Sequence, residues 1–180
     1  MRLFWMKLHA YLACFFLPLT VLYIFTGILH LFDIKGEVKN TFEYKIEISA
    51  GWPEQETVAK ALVEHFLAKK NHFPLPESYY PEEGLHDWFG RKQEVLLLPT
   101  ESPYQAKLVV KEHDFWLQLL LIHKGIAGKI FWILGLFFGI HLLISVISGV
   151  VLALQLPGLK SMSTLSLSGG FSLLVILLLT

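Results

Sequence analysis

No Asp, Glu, Lys or Arg occurs from Leu8 to Phe32, and this uncharged run of 25 residues constrains the fold more than any other feature. A helix of that length measures roughly 37 Å, enough to cross a hydrocarbon core of about 30 Å with some tilt. The run is too long for a cleaved signal peptide, and no small-residue cleavage site follows it before Asp33. The sequence therefore predicts a retained transmembrane helix within residues 1–32.

Two further apolar segments follow. Ile130–Leu159 carries no charge, and its apolar pattern begins near Phe115, so a second, continuous transmembrane helix is predicted over 115–156. Leu165–Thr180 is uncharged but only 16 residues long, and a full span needs about 20. For residues 157–180 we therefore expect a cytoplasmic turn and a third helix that is short or truncated.

The charges are divided between the two parts of the chain. All fifteen Asp and Glu, but only ten of the fifteen Lys and Arg, lie between Asp33 and Asp114, which gives that segment a net charge of −5. The remainder carries +5. This distribution excludes a single soluble globule and a basic nucleic-acid-binding protein.

The polar segment 33–114 has the pattern of a small α+β domain. Alternation over Phe42–Ile48 predicts a strand, Trp52-Pro53 opens a helix that continues to Lys70, and 72–90 is expected to be a loop. Gln93–Leu98 and Gln105–Lys111 are predicted to form a hairpin. The expected fold is a mainly α membrane protein with two long antiparallel transmembrane helices and this domain inserted between them.

The short basic flanks predict the orientation. Arg2, Lys7 and Lys160 favour a cytoplasmic N-terminus and place residues 33–114 on the outer side, although Lys124 and Lys129 weigh against it. Gly128, Gly135 and Gly139 are expected to share one helix face, through which a second copy or a partner helix could approach closely.

Four of the eight histidines belong to the membrane segments: His9, His30, His123 and His141. Titratable groups at that depth are functional candidates by default. On the first helix, one stripe at helical spacing comprises His9, Ala13, Phe16, Thr20, Tyr23, Gly27 and His30. On a continuous second helix, His123 and His141 would be five whole turns apart and face the same side, together with Ser145 and Ser148.

Two histidines on each of two antiparallel helices suggest axial ligands for one or two b-type haems, which require neutral imidazoles and an apolar slot. With this topology His30 would pair with His123 and His9 with His141, and replacing His141 with leucine should remove haem absorbance. Interfacial histidines without a ligand role, and pairing across a dimer, are the alternatives. The remaining histidines (His65, His72, His86 and His113) are expected at the solvated surface, and the lone Cys14 is expected to be a buried, inert thiol.

Short motifs resemble those of the PepSY-associated transmembrane (PepSY-TM) family. They are Arg2-x-x-Trp5-x-x-Leu8-His9, Thr26-Gly27, Leu121-Ile122-His123-Lys124-Gly125-x-x-Gly128 and Ser148-Gly149. The resemblance covers about 1–155 and implies a bacterial inner-membrane protein with a periplasmic PepSY-like domain at 33–114. Some members are dihaem ferric-siderophore reductases, so it also implies haem ligation, with His9 and His123 matching the family's Leu-His elements. Typical members are longer, with four or more spans.

Three functions follow as hypotheses. The first is a b-type haem protein that carries electrons across the inner membrane, from a quinol or cytoplasmic reductant to a periplasmic ferric chelate. The second is a non-catalytic accessory protein of a larger membrane complex. The third, a membrane-tethered regulator of peptidases, rests on the PepSY resemblance alone.

Overall fold

The fold was analysed in a computed structural model, which describes residues 2–49, 51–82 and 84–180. In chain order the elements are α1 (Arg2–Leu31), β1 (Val38–Glu47), α2 (Glu56–Lys69), β2 (Ser78–Glu82), β3 (Leu85–Phe89), β4 (Gln93–Pro99), β5 (Gln105–His113), α3 (Phe115–His123), α4 (Lys129–Gln155) and α5 (Pro157–Leu179). They form two compact units: residues up to 21 with 136–180 make unit 1, and residues 22–135 make unit 2.

In the described part of the chain, three helices are long and apolar enough to cross a membrane, as expected for the predicted membrane-protein class. They are α1 over Leu3–Leu31, the whole of α4 with 27 residues, and the whole of α5 with 23. The third helix is longer than predicted because it begins at Pro157 and includes Lys160. Proline suits the first helical position, where its missing N–H costs nothing.

The predicted continuous helix over 115–156 is wrong, because a turn separates α3 from α4. Gly125 has a φ of 70°. Its N–H donates a hydrogen bond to the carbonyl of Ile122 at 3.0 Å, and the N–H of Ile126 donates to the carbonyl of Leu121 at 3.1 Å. This pair of bonds is the Schellman motif, which ends a helix. His123 and His141 therefore lie on different helices, and the expectation that they are five turns apart on one helix is wrong. Gly128 also lies in this turn, with a φ of 130°, rather than on a helix face with Gly135 and Gly139.

The polar segment folds as the predicted α+β domain, with a larger sheet than expected. Five antiparallel strands lie in the order β1-β5-β4-β3-β2. The predicted first strand and hairpin are confirmed as β1 and β4–β5. The predicted helix is confirmed as α2, but it begins at Glu56 and not at Trp52-Pro53. The predicted loop over 72–90 was wrong in part, because it contains β2 and β3. Pro81 lies in β2, an edge strand, where a residue without an N–H is tolerated.

The core of this domain lies between α2 and one face of the sheet. From α2 it takes Ala59, Val63 and Leu67, and its strand members are Ile46, Trp88, Val95, Leu97, Ala106, Leu108 and Val110. The opposite face carries cross-strand ion pairs, such as Lys107–Glu43 at 2.9 Å. The sheet is therefore amphipathic, as the alternating sequence of β1 predicts.

Within unit 2, the start of α3 is held against the loop that follows α1. The Asp114 carboxylate accepts a hydrogen bond from the N–H of Leu117 at 2.7 Å and so caps α3. Gly36, with a φ of 72°, lies so close to this first turn that any side chain there would clash with the backbone of Leu117. Gly36 and Asp114 together therefore determine where α3 begins after β5.

Candidate functional site

The imidazole of His9 is bonded to α4 through one ring nitrogen. Its Nδ1 lies 3.1 Å from the carbonyl oxygen of Ser145 and 3.0 Å from Oγ of Ser148. A carbonyl can only accept, so Nδ1 carries the proton. The hydroxyl of Ser148 itself donates to the Ser145 carbonyl at 2.9 Å and so accepts from His9. These bonds assign the Nδ1–H tautomer and leave the Nε2 lone pair available.

His9 also borders a cavity of ligand size within unit 1. The cavity measures about 680 Å³ and is lined mainly by apolar residues of α4 and α5, among them Gly149, Val150 and Met162. Pockets for small molecules and cofactors typically have volumes of about 300–1,000 Å³. A Cβ on Gly149 would lie 3.6 Å from Cε1 of His9, so the ring packs closely on the helix backbone. Ser145 and Ser148 share a face of α4 with His141, as expected, and are the hydrogen-bond partners of His9.

His141 has a different environment in the same unit. His141 is buried, and its ring stacks on the ring of Phe16 with the two centroids 4.3 Å apart. The centroid of the Phe138 ring lies 6.0 Å from that of the His141 ring. Its Nδ1 is buried and has no hydrogen-bond partner among the described residues. His141 does not line the cavity that His9 borders. Pairing of His9 with His141 on one haem therefore stays a prediction without structural support.

His123, in unit 2, repeats the arrangement of His9. Its Nδ1 lies 2.6 Å from Oγ1 of Thr26, whose own proton goes to the carbonyl of Leu22 at 2.8 Å. Thr26 therefore accepts from His123, which again assigns the Nδ1–H tautomer. The ring stacks on Tyr23 with centroids 4.6 Å apart, and a Cβ on Gly27 would lie 3.7 Å from its Cε1.

Members of the stripe predicted on α1 supply contacts in both units, but Thr26, the hydrogen-bond partner of His123, lies outside that stripe. In unit 1, His9 and Phe16 contact Ser148 and His141, so residue numbers rise on α1 as they fall on α4 and the two segments run antiparallel. In unit 2, Tyr23 and Gly27 contact His123. The fourth candidate, His30, is exposed.

His9 and His123 therefore share the surroundings of metal-binding histidines. In such sites the second ring nitrogen donates to a fixed oxygen, which sets the tautomer and the ring orientation. The described residues contain no group of three or more His, Cys, Asp and Glu that could hold a metal ion. A ligand for these histidines would therefore have to bring most of its own coordination, as haem does. His9 would supply one ligand to such a group, and His141 does not line the cavity that His9 borders.

The histidines of the α+β domain differ in part from the prediction that they lie at the solvated surface. His65 is exposed, as predicted, but His86 and His113 are buried at 4% and 5% exposure. His86 donates from Nε2 to the carbonyl of Pro53 at 2.6 Å and accepts at Nδ1 from the hydroxyl of Tyr79 at 2.9 Å. Both nitrogens are used within the core, so His86 is structural. Cys14, expected to be buried, is exposed on α1.

Comparison with known proteins adds no assignment for this arrangement. No protein-family model matches the sequence, and neither a curated protein nor a solved structure shows significant similarity to it. The chain is thus defined by its structure as a protein with three apolar helices of membrane-spanning length and a five-stranded α+β domain. Its resemblance to PepSY-TM proteins stays a hypothesis that rests on the short motifs.

Proposed function

We propose that this chain is a b-type haem protein that carries electrons across or within a membrane. The observation that carries the proposal is His9: its Nδ1–H is held by α4, and the residue borders a mainly apolar cavity of about 680 Å³. Apolar surroundings lower the local dielectric, which is one of the means by which a protein tunes a redox cofactor.

The protein's own contribution would be positioning. Ser145 and Ser148 fix the tautomer of His9, so that Nε2 is the nitrogen left for iron. Thr26 does the same for His123. Glycine beside each ring keeps the helix backbone close to the imidazole. When bound, haem supplies one-electron redox chemistry, and these side chains hold it in place.

The finer parts of the proposal rest on the sequence. The PepSY-TM resemblance and the basic flanks favour a bacterial inner membrane, a cytoplasmic N-terminus and a periplasmic domain over residues 33–114. A quinol or a cytoplasmic reductant would then be the donor, and a periplasmic ferric chelate the acceptor. His30 remains a candidate for the second ligand at His123, and a histidine of another copy or of a partner chain would supply the second ligand at His9, because His141 does not line the cavity of His9.

An optical spectrum of the detergent-purified chain tests the proposal. We expect a Soret band, sharp α and β bands after dithionite reduction, and one or two haems per chain in a pyridine haemochrome assay. Two haems would mean that both His9 and His123 are occupied, and one haem would mean that one of them is. Folded protein that binds no haem, either as purified or after haem is added, would refute the proposal.

A second function has an observation of its own. The same hydrogen bonds that fix the tautomer of His9 also hold α1 against α4, and polar contacts of this kind stabilise helix pairs in membranes. A Cβ on Gly139 would meet nothing within 4 Å, so another helix could approach α4 there. Both features suit a non-catalytic accessory subunit, and haem-free folded protein would favour that function.

The hydroxyl of Ser148 provides a graded test of the haem proposal. We expect Ser148→Ala to weaken haem binding roughly ten-fold, because His9 would keep the Ser145 carbonyl and lose its second acceptor. Titration of haem into the apoprotein in detergent measures the change. Ser163→Ala is the matched control, since Ser163 lines the same cavity and is not one of the hydrogen-bond partners of His9. Equal affinities for both variants would show that Ser148 does not support a ligand.

A further inference from the structure

A second cavity lies wholly within unit 2, between the sheet domain and the first residues of α4. It measures about 410 Å³. One wall comes from the chain before β2 and from the β3–β4 turn, over residues 73–78 and 89–93, and the other comes from residues 127–131. This cavity is separate from the histidines, because none of His9, His30, His123 and His141 lines it.

The charges around this cavity are mostly positive. Arg91, Lys92 and Lys129 line it, against the single carboxylate of Glu77. None of these three cations belongs to an ion pair in the described part of the chain. The cavity therefore carries a surplus of two positive charges that the protein itself does not neutralise.

Two of the cations are held in place by neutral groups. The guanidinium of Arg91 donates to Oε1 of Gln118 at 2.7 Å, and Nζ of Lys92 lies 4.5 Å from the ring centroid of Phe73. These contacts restrict the side chains without cancelling their charge. Arg91 and Lys92 are thus partly ordered for an anion before it binds.

The cavity includes the first residues of α4, and so it lies at the level where this helix would enter a membrane. Lys129 is the first residue of α4, one of the three helices long and apolar enough to span a membrane. The next residue, Ile130, is 73% exposed, and Trp132 is 59% exposed. A span begins at the level of the lipid headgroups, and basic pockets beside transmembrane helices bind anionic headgroups. Ile130 and Trp132 would then adjoin the acyl chains.

We propose that this cavity binds the phosphate of an anionic glycerophospholipid, in the leaflet on the side of the sheet domain. Arg91, Lys92 and Lys129 contact the phosphate, and the exposed apolar start of α4 contacts the acyl chains. An anionic headgroup is favoured over a zwitterionic one, because the ammonium of the latter would enter a site that already has a positive surplus. The proposal is independent of haem.

Native mass spectrometry of the full chain in detergent tests this site, with phosphatidylglycerol and phosphatidylcholine added separately to delipidated protein. We expect a preference for phosphatidylglycerol, and roughly thirty-fold weaker binding to the double variant Lys92→Gln/Lys129→Gln, since each cation near a membrane surface is worth about a factor of five. The control is Lys60→Gln/Lys107→Gln, which removes the same charge from two half-exposed lysines that do not line the cavity. It should bind like the wild type.

Three results would overturn the proposal. Equal binding of the two lipids to the wild-type chain would remove the anionic selectivity. Equal losses in both double variants would mean that net charge, and not this cavity, governs binding. Glycerol 3-phosphate that binds as tightly as the lipid would mean that the acyl chains contribute nothing, and the site would be one for a soluble phosphate.

Discussion

Replacing His9 with leucine is expected to abolish haem binding at the cavity of unit 1, with a loss of affinity greater than about a hundred-fold. Loss of a partner that merely orients a ligand costs about 10- to 100-fold, and loss of the ligand itself should cost more. Leucine has a similar apolar volume and fits a cavity lined mainly by apolar side chains. Soret absorbance and the pyridine haemochrome assay on the purified variant measure the effect.

Two other histidine replacements complete this experiment. His65→Leu changes an exposed histidine of the domain and should keep the wild-type haem content. His141→Leu, which the sequence pattern predicts to remove haem, should keep the haem bound through His9, since His141 packs on Phe16 outside that cavity. If His141→Leu lost its haem and His9→Leu kept it, His141 and not His9 would be the haem ligand.

Part of the contact face of α1 could be predicted from the sequence, although Thr26 was missed and His30 is exposed. Helical spacing alone grouped His9, Phe16, Tyr23 and Gly27, and each of them contacts a residue of α3 or α4. A helix has a fixed period, so residues on one face can be identified without any knowledge of the partner. The identity of the partner atoms, such as the carbonyl of Ser145, depends on packing and could not be predicted.

The helix break was missed although the sequence contains a signal for it. Lys124-Gly125 combines a basic residue at a helix end with a glycine that can adopt positive φ, and this pattern is typical of a helix C-terminus. The residues before and after this pair are mostly apolar, so the hydropathy pattern does not show the break. Hydropathy measures burial and membrane depth, but it does not report where the backbone changes direction.

The burial of His86 and His113 was missed for a different reason. Both residues lie on strands in which polar and apolar side chains alternate only approximately, so their faces depend on register. Register is set by cross-strand pairing, such as Trp88 opposite Val95, which a single sequence does not contain. The acceptors that make burial tolerable, including the carbonyl of Pro53, are also distant in the chain.

Trp88→Ala should destabilise the α+β domain by about 3–5 kcal/mol, the usual cost of truncating a large buried aromatic residue. Trp88 is 1% exposed, and its ring lies 5.5 Å from that of Tyr79 and 5.7 Å from that of His86, measured between centroids. Small domains have total stabilities of about 5–15 kcal/mol, so a large share would be lost. Urea unfolding of the full chain in detergent, followed by tryptophan fluorescence, measures the change, because Trp52 remains stacked on His86 as a reporter.

Trp88→Phe separates the packing contribution of this residue from its hydrogen-bonding group. The indole Nε1 of Trp88 is buried without a hydrogen-bond partner among the described residues, which carries a cost of about 1–3 kcal/mol. Phenylalanine removes that unpaired N–H together with part of the ring, so the two effects oppose each other and the net loss should stay below about 1.5 kcal/mol. Tyr104→Ala, at a residue that is 63% exposed, should change the stability by less than about 0.5 kcal/mol. If Trp88→Phe proved as damaging as Trp88→Ala, the N–H would have to be bonded in solution, and the core around β3 would differ from the one described.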